Sequence, residues 1–169
     1  IFGKCFGFGL PLGLIAISSS VSKKLSKIKK NVFFGGTFSG NSIVTFIANN
    51  LLVYTIKNKK KIFNDLEKKS NFFENELNKF FINKKLDLKI YRFKSLLRLV
   101  YTKSNLKNRN SRDFFESKKN FKINIFKKYL KNQNIYLSPS GLIFFSISHN
   151  ESDLKYLIRK FKTGLLKYF

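Results

Sequence analysis

Methionine is absent from this 169-residue chain, cysteine and histidine occur once each, and nine acidic residues face 34 basic ones. A complete reading frame needs an initiator and this chain begins at Ile1, so it is expected to be the C-terminal part of a larger protein. Cys5 has no partner for an intrachain disulfide, and with His149 alone it makes no zinc-type cluster, so no metal is expected. A reducing, cytoplasmic setting fits that scarcity of thiols. Long apolar runs are missing too. The stretch 5–17 resembles a signal-peptide core, but glycines and Pro11 interrupt it and it falls short of the ~20 residues that span a bilayer.

What the chain does hold is positive charge, a formal +25. A balance of that size points first to nucleic acid or an anionic membrane surface. The residue types argue otherwise, because five of the basic residues are Arg and 29 are Lys, and Arg is the side chain suited to bidentate base and phosphate contacts. Lys, Asn, Ile and Phe, all abundant here, share A/T-rich codons. The charge therefore reads as solvated faces, with neither nucleic acid nor membrane as partner. The alternative is a small basic protein that binds RNA or a membrane surface, which requires lysines gathered on one face and affinity that falls steeply with salt.

Along the chain, residues 1–17 read as the end of a strand, a glycine-rich turn and a second strand over 12–17. A short exposed helix or loop follows over 18–30. Apolar spacing predicts a long helical region over 41–81, broken near Asn58, with the amphipathic half over 59–80 packing one face. Alternation then predicts strands near 86–91 and 96–101 around Lys94-Ser95, and a polar loop over 104–112. Next come a helix over 113–131 with Phe114, Phe121, Ile125, Phe126 and Leu130 inward, a strand over 135–137, a turn at Pro139-Ser140-Gly141 and a strand over 142–148. Asn150-Glu151-Ser152-Asp153 reads as a capping box that opens a last helix over 154–166. The order β, β, α, β, β, α is an α+β layer with helices on a small sheet.

Two motifs stand out. Lys4 lies between Gly3 and the turn Gly7-Phe8-Gly9-Leu10-Pro11-Leu12-Gly13, and Gly35-Gly36-Thr37 follows, with Thr37 33 positions beyond Lys4. Each has a plain reading: an ordinary lysine beside a turn, and a tight loop before a helix capped by Ser39 or Asn41. Each also has a chemical one. A half-buried amine sheds its charge and attacks an aldehyde, and exposed N–H groups at a helix start suit a phosphate. His149 reads as a satisfied histidine beside a helix start, and Cys5 as a small buried residue. Arg109, Arg112 and Asp113 read as an ion-paired loop.

As a pair in this order, with the tail from Tyr136-Leu137-Ser138-Pro139-Ser140 through His149 to Asp153, the motifs resemble class III aminotransferases. These are fold-type I pyridoxal phosphate enzymes, and the likeness is to the glutamate-1-semialdehyde aminomutase group. The resemblance implies an α/β to α+β fold: residues 1–40 end a large cofactor-binding domain, 41–83 are connecting helices, and 84–169 form a small C-terminal α+β domain. It implies pyridoxal 5'-phosphate held by Lys4 as a Schiff base, with Gly36 and Thr37 contacting cofactor. It also implies a small-molecule amino donor and carbonyl acceptor, and a homodimer in the full-length protein, Thr37 meeting the neighbouring subunit's phosphate. Three departures stand beside it. The glutamate usual after the Pro-Ser pair is missing from the shorter segment Pro139 to Phe145, no Arg lies in the closing strand, and Ser42 stands where proline is common. The fragment by itself is expected to be inactive, since the rest of the cofactor site would lie upstream.

Overall fold

In the computed structural model, the described residues are 3, 9–28, 35–36, 39–102, 106 and 108–169. The chain divides into two compact units, 1–59 and 60–169.

In the first unit, helix α1 (Ser19–Leu25) starts at Ser18, whose hydroxyl accepts the Val21 N–H, and ends on Lys23 and Lys24, cations that suit the negative end of the helix dipole. Helix α2 (Ser42–Lys57) starts at Asn41, whose side chain accepts the Val44 N–H at 3.0 Å, and stops at Asn58, whose amide donates to the Tyr54 carbonyl. The expected break at Asn58 is there. The expected strand over 12–17 is not, since only Leu14 makes a single bridge. A strand needs a ladder to join, and Leu14, Ile15 and Ile17 remain exposed.

In the second unit, helix α3 (Lys59–Asn83) buries Ser70, Phe73, Leu77 and Phe81, a spacing that keeps one stripe inward. It closes with Lys85 in the left-handed region (φ 53°), the Leu86 N–H reaching back to the Phe81 carbonyl and the Lys85 N–H to Ile82. Strands β1 (Lys89–Phe93) and β2 (Leu96–Val100) form a hairpin around Lys94-Ser95, with Phe93 opposite Leu96 and Lys89 opposite Val100. Strand β3 (Leu142–Phe144) adds antiparallel to β2 and completes a three-stranded sheet of order β1-β2-β3.

Between β2 and β3 the single helix expected over 113–131 is two. Helix α4 (Arg109–Ser117) begins at a capping box on Asn108, inside what reads from sequence as loop, and α5 (Asn120–Asn132) follows after a break at Lys118–Lys119. The break resets the helical phase. Ile123, Phe126 and Leu130 point inward, while Phe114 and Phe121 are exposed and Ile125 is half-buried. Residues 135–137, expected as a strand, join no ladder. The chain leaves α5 through Asn134 in the left-handed region (φ 57°), and Leu137 turns in while Tyr136 turns out. The turn before β3 matches expectation. The last helix, α6 (Glu151–Tyr168), starts at the expected capping box: Asn150 accepts the Asp153 N–H and the Asp153 carboxylate accepts the Asn150 N–H.

The core of this unit is aromatic. Phe73 of α3 meets Phe145 and Phe161 edge-on, each at 5.4 Å between ring centres, and Phe126 of α5 meets Phe161 at 5.5 Å. Ile90, Leu97, Leu99 and Ile143 supply the sheet's share. Among the described residues no helix is long and apolar enough to cross a membrane.

Candidate active site

Lys4 and Thr37, the residues expected to carry the chemistry, lie outside the described residues. Their surroundings are partly described. A Cβ built on Gly3 would lie 4.0 Å from the Leu12 carbonyl, an ordinary contact. The Gly9-Leu10-Pro11-Leu12 turn that follows is closed by a 2.8 Å bond from the Leu12 N–H to the Leu10 carbonyl, and Gly9 takes φ +92°. An L side chain at Gly9 would be strained whatever the room around it.

Gly36 is exposed at the start of a turn, its carbonyl accepting the Ser39 N–H at 2.9 Å. A Cβ added there would meet only the Ser39 hydroxyl, at 3.4 Å, so packing within the described residues does not demand glycine at that position. Gly40 (φ +69°) then lets the chain reach the Asn41 cap, and the first turn of α2 contains no acidic residue. Exposed glycine backbone leading into a helix N-terminus free of carboxylates is an arrangement that fits a phosphate.

In the second unit the closing segment from Tyr136 to Asp153 is pinned by two lysines that sequence patterning does not single out. Lys69 of α3, largely buried, donates to the Ile147 carbonyl at 3.0 Å and the Ser146 carbonyl at 3.4 Å while pairing with Asp65 at 2.6 Å. Lys127 of α5 donates to the Pro139 carbonyl at 2.8 Å; burial pulls its ammonium below the usual lysine range, against the opposing pull of Glu116. The only signal for Lys69 is its position four residues after Asp65 on a helix, and Lys127 has none. His149 is satisfied as expected, its Nδ1 accepting from the Ser146 N–H and hydroxyl at 3.0 and 2.9 Å and its ring edge-on to Phe145. Arg109, Arg112 and Asp113 are ion-paired as expected, but on α4 instead of a loop. Arg112 also reaches Glu116, which accepts from Arg98 and lies 3.4 Å from the Tyr101 N–H.

A cleft of about 670 Å³ lies beside this segment, walled by residues including Tyr136, Leu137, Phe144, Leu157 and His149. Its one carboxylate, Asp153, is engaged in the capping box. Among the described residues no group of His, Cys, Asp and Glu could hold a metal ion.

No protein-family profile matches the chain. The fold, however, is shared with solved transaminases and aminomutases, of whose chains it covers about a third. An omega-transaminase from Sphaerobacter thermophilus superposes with a TM-score of 0.75 at 15% identity, over 95% of this chain and 36% of its own. A glutamate-1-semialdehyde aminomutase from Pseudomonas aeruginosa, solved in complex with PMP, gives 0.66 at 13% identity over 85% and 32%. Sequence narrows the class, for the chain is 30% and 31% identical to the glutamate-1-semialdehyde 2,1-aminomutases of Caldicellulosiruptor bescii and Caldicellulosiruptor saccharolyticus, over 91% of its length in both cases. The chain is thus similar to members of that group and spans 35% of the length of those two relatives.

Proposed function

We propose that this chain supplies the cofactor-anchoring lysine and a phosphate-contacting loop of a class III aminotransferase or aminomutase that uses pyridoxal 5'-phosphate and resembles glutamate-1-semialdehyde 2,1-aminomutase. The observation that carries the proposal is the likeness to named aminomutases over 91% of the chain, supported by a fold shared with transaminases. On this reading residues 1–40 close the cofactor domain, 41–83 connect, and 84–169 form the small domain.

With the cofactor bound, Lys4 would hold it through Nζ, and the same Nζ, when free, would carry a proton to and from the substrate carbon. Gly36 keeps the loop bare so that backbone N–H groups approach the phosphate, and Thr37 adds its hydroxyl, on the neighbouring subunit's cofactor in a homodimer. When bound, pyridoxal phosphate withdraws electrons from the carbon whose proton is removed. Lys69 and Lys127 hold the closing segment in place. The substrates are a small amino donor and a carbonyl acceptor, and the setting is cytoplasmic.

The test uses the full-length protein with Lys4→Ala. Borohydride is expected to fix the cofactor covalently to the parent and to leave the variant unlabelled, with amine transfer reduced by roughly 10²-fold or more. Cofactor fixed equally to both proteins overturns the assignment.

A further inference from the structure

Two clefts of the 60–169 unit join along one side of α6. The first, about 480 Å³, lies between α3 and α6 and has Phe72, Ile158 and Leu166 for a floor and Lys155, Arg159 and Lys162 on its rim. The second, about 510 Å³, shares Phe72 and continues past Lys68 and Ile147 to the start of α6. Large apolar side chains stay open to solvent all along this trough: Phe72 is 39% exposed, Leu166 51% and Ile147 52%. A stripe of that kind bordered by charge marks an interaction surface.

The charges along it divide into two sets. Lys162 is paired with Glu76 at 2.9 Å, Lys155 with Glu151 at 2.6 Å and Lys69 with Asp65 at 2.6 Å. Lys68 and Arg159 have no carboxylate within ion-pair reach among the described residues, and Arg159 lies 5.5 Å from the centre of the Tyr156 ring. The trough therefore offers a greasy floor with two uncompensated cations on a protein whose formal charge is +25.

We propose that this trough is a docking surface for an acidic amphipathic helix of a partner protein. A groove between two helices accepts the ridge of a third, and apolar anchors at helical spacing are the usual way such a groove is read. The apolar floor argues against a purely ionic partner. With Lys69, Lys155 and Lys162 already held by Asp65, Glu151 and Glu76, the trough keeps, among the described residues, two separated free cations and not the continuous row that the regular phosphates of RNA or of an anionic bilayer favour. A helix can set its carboxylates opposite Lys68 and Arg159 and avoid the acids. The run from Glu151 to Leu166 is roughly 22 Å long, enough for a helix of about 15 residues.

The test is fluorescence anisotropy on the full chain with a labelled synthetic 15-residue peptide, leucines on one helical face and glutamates on the other. Controls are a scrambled peptide of the same composition, a poly-U RNA and phosphatidylglycerol vesicles. The peptide is expected to bind saturably and the scrambled one at least about tenfold more weakly. The surface variants R159E with K68E and, separately, F72S with L166S are each expected to weaken it by about tenfold or more, while K131E on α5 leaves it unchanged. Circular dichroism confirms that the variants are folded. Equal binding of the scrambled peptide, indifference to both double variants, no binding at all, self-association through this face, or RNA or vesicles competing for it overturns the proposal.

Discussion

Gly164 sits where α5 and α6 touch. A Cβ built there would come within 2.5 Å of the Tyr129 ring and 2.9 Å of the Phe126 ring. In a free helix Gly→Ala gains about 1 kcal/mol, but at this crossing the methyl must displace two packed rings, and overpacking costs typically 1–3 kcal/mol or more. Gly164→Ala is expected to lower the thermal midpoint, and pairing it with Tyr129→Ala to recover less than it costs, because that removal leaves a cavity. Tyr101 makes the opposite prediction. It is 2% exposed, stacks on Phe169, and its hydroxyl has no partner among the described residues. Burial first, and the Glu116 carboxylate second, push its phenol well above the usual tyrosine range. The folded state thus keeps the phenol protonated where the unfolded chain ionises. Stability is undiminished below about pH 10 and falls by up to about 1.4 kcal/mol per pH unit above it. Tyr101→Phe is expected to be neutral to mildly stabilising at pH 7 and to flatten that alkaline decline in pH-dependent urea unfolding. Neither residue is legible in the sequence, where a helical glycine reads as a weak point and a tyrosine as core.

At the level of elements, helix ends explain most of what the sequence does and does not reveal. The α6 capping box and the stop at Asn58 are readable because short polar side chains satisfy backbone groups from fixed offsets. The ends of α3 and α5, expected at 81 and 131 and found at Asn83 and Asn132, are readable from the loss of apolar spacing, although at Lys85 the left-handed cap carries no glycine to signal it. Lys85→Gly is accordingly expected to stabilise the protein by about 0.5–1 kcal/mol, seen as a higher urea midpoint at unchanged slope. The strand expected over 12–17 and the single helix over 113–131 fail for a different reason. Strand formation depends on partners that periodicity does not see, and a one-turn break shifts the inward face from Phe121 to Ile123 without altering composition.

For the whole molecule, burial is uneven. The described part of the first unit buries only Val44 and Ala48 among its hydrophobic residues, while the second holds the entire aromatic cluster. Hydrogen exchange is therefore expected to be slowest in α3, β2 and α6 and faster throughout α2; equal protection of α2 and α6 would contradict that. The class of fold is legible because helices still pack on a small antiparallel sheet although one expected strand is absent and one expected helix is two. The proposed site rests on motifs alone: Lys4 and Thr37 are singled out by their neighbours in sequence, whereas Lys69 and Lys127 act through carbonyls distant in the chain.

Asn78 of α3 donates to the Ile90 carbonyl at 3.0 Å and accepts the Ile90 N–H at 2.8 Å. In this two-residue hairpin the outward-facing groups of β1 belong to Ile90 and Arg92. One side chain therefore takes both main-chain groups of Ile90, and the Arg92 side chain is drawn to Glu74 of the same helix. The sheet has a sealed border at β1. Any strand that extends it, whether by assembly or by misassembly, must enter beside β3, which gives a three-stranded sheet a direction of growth.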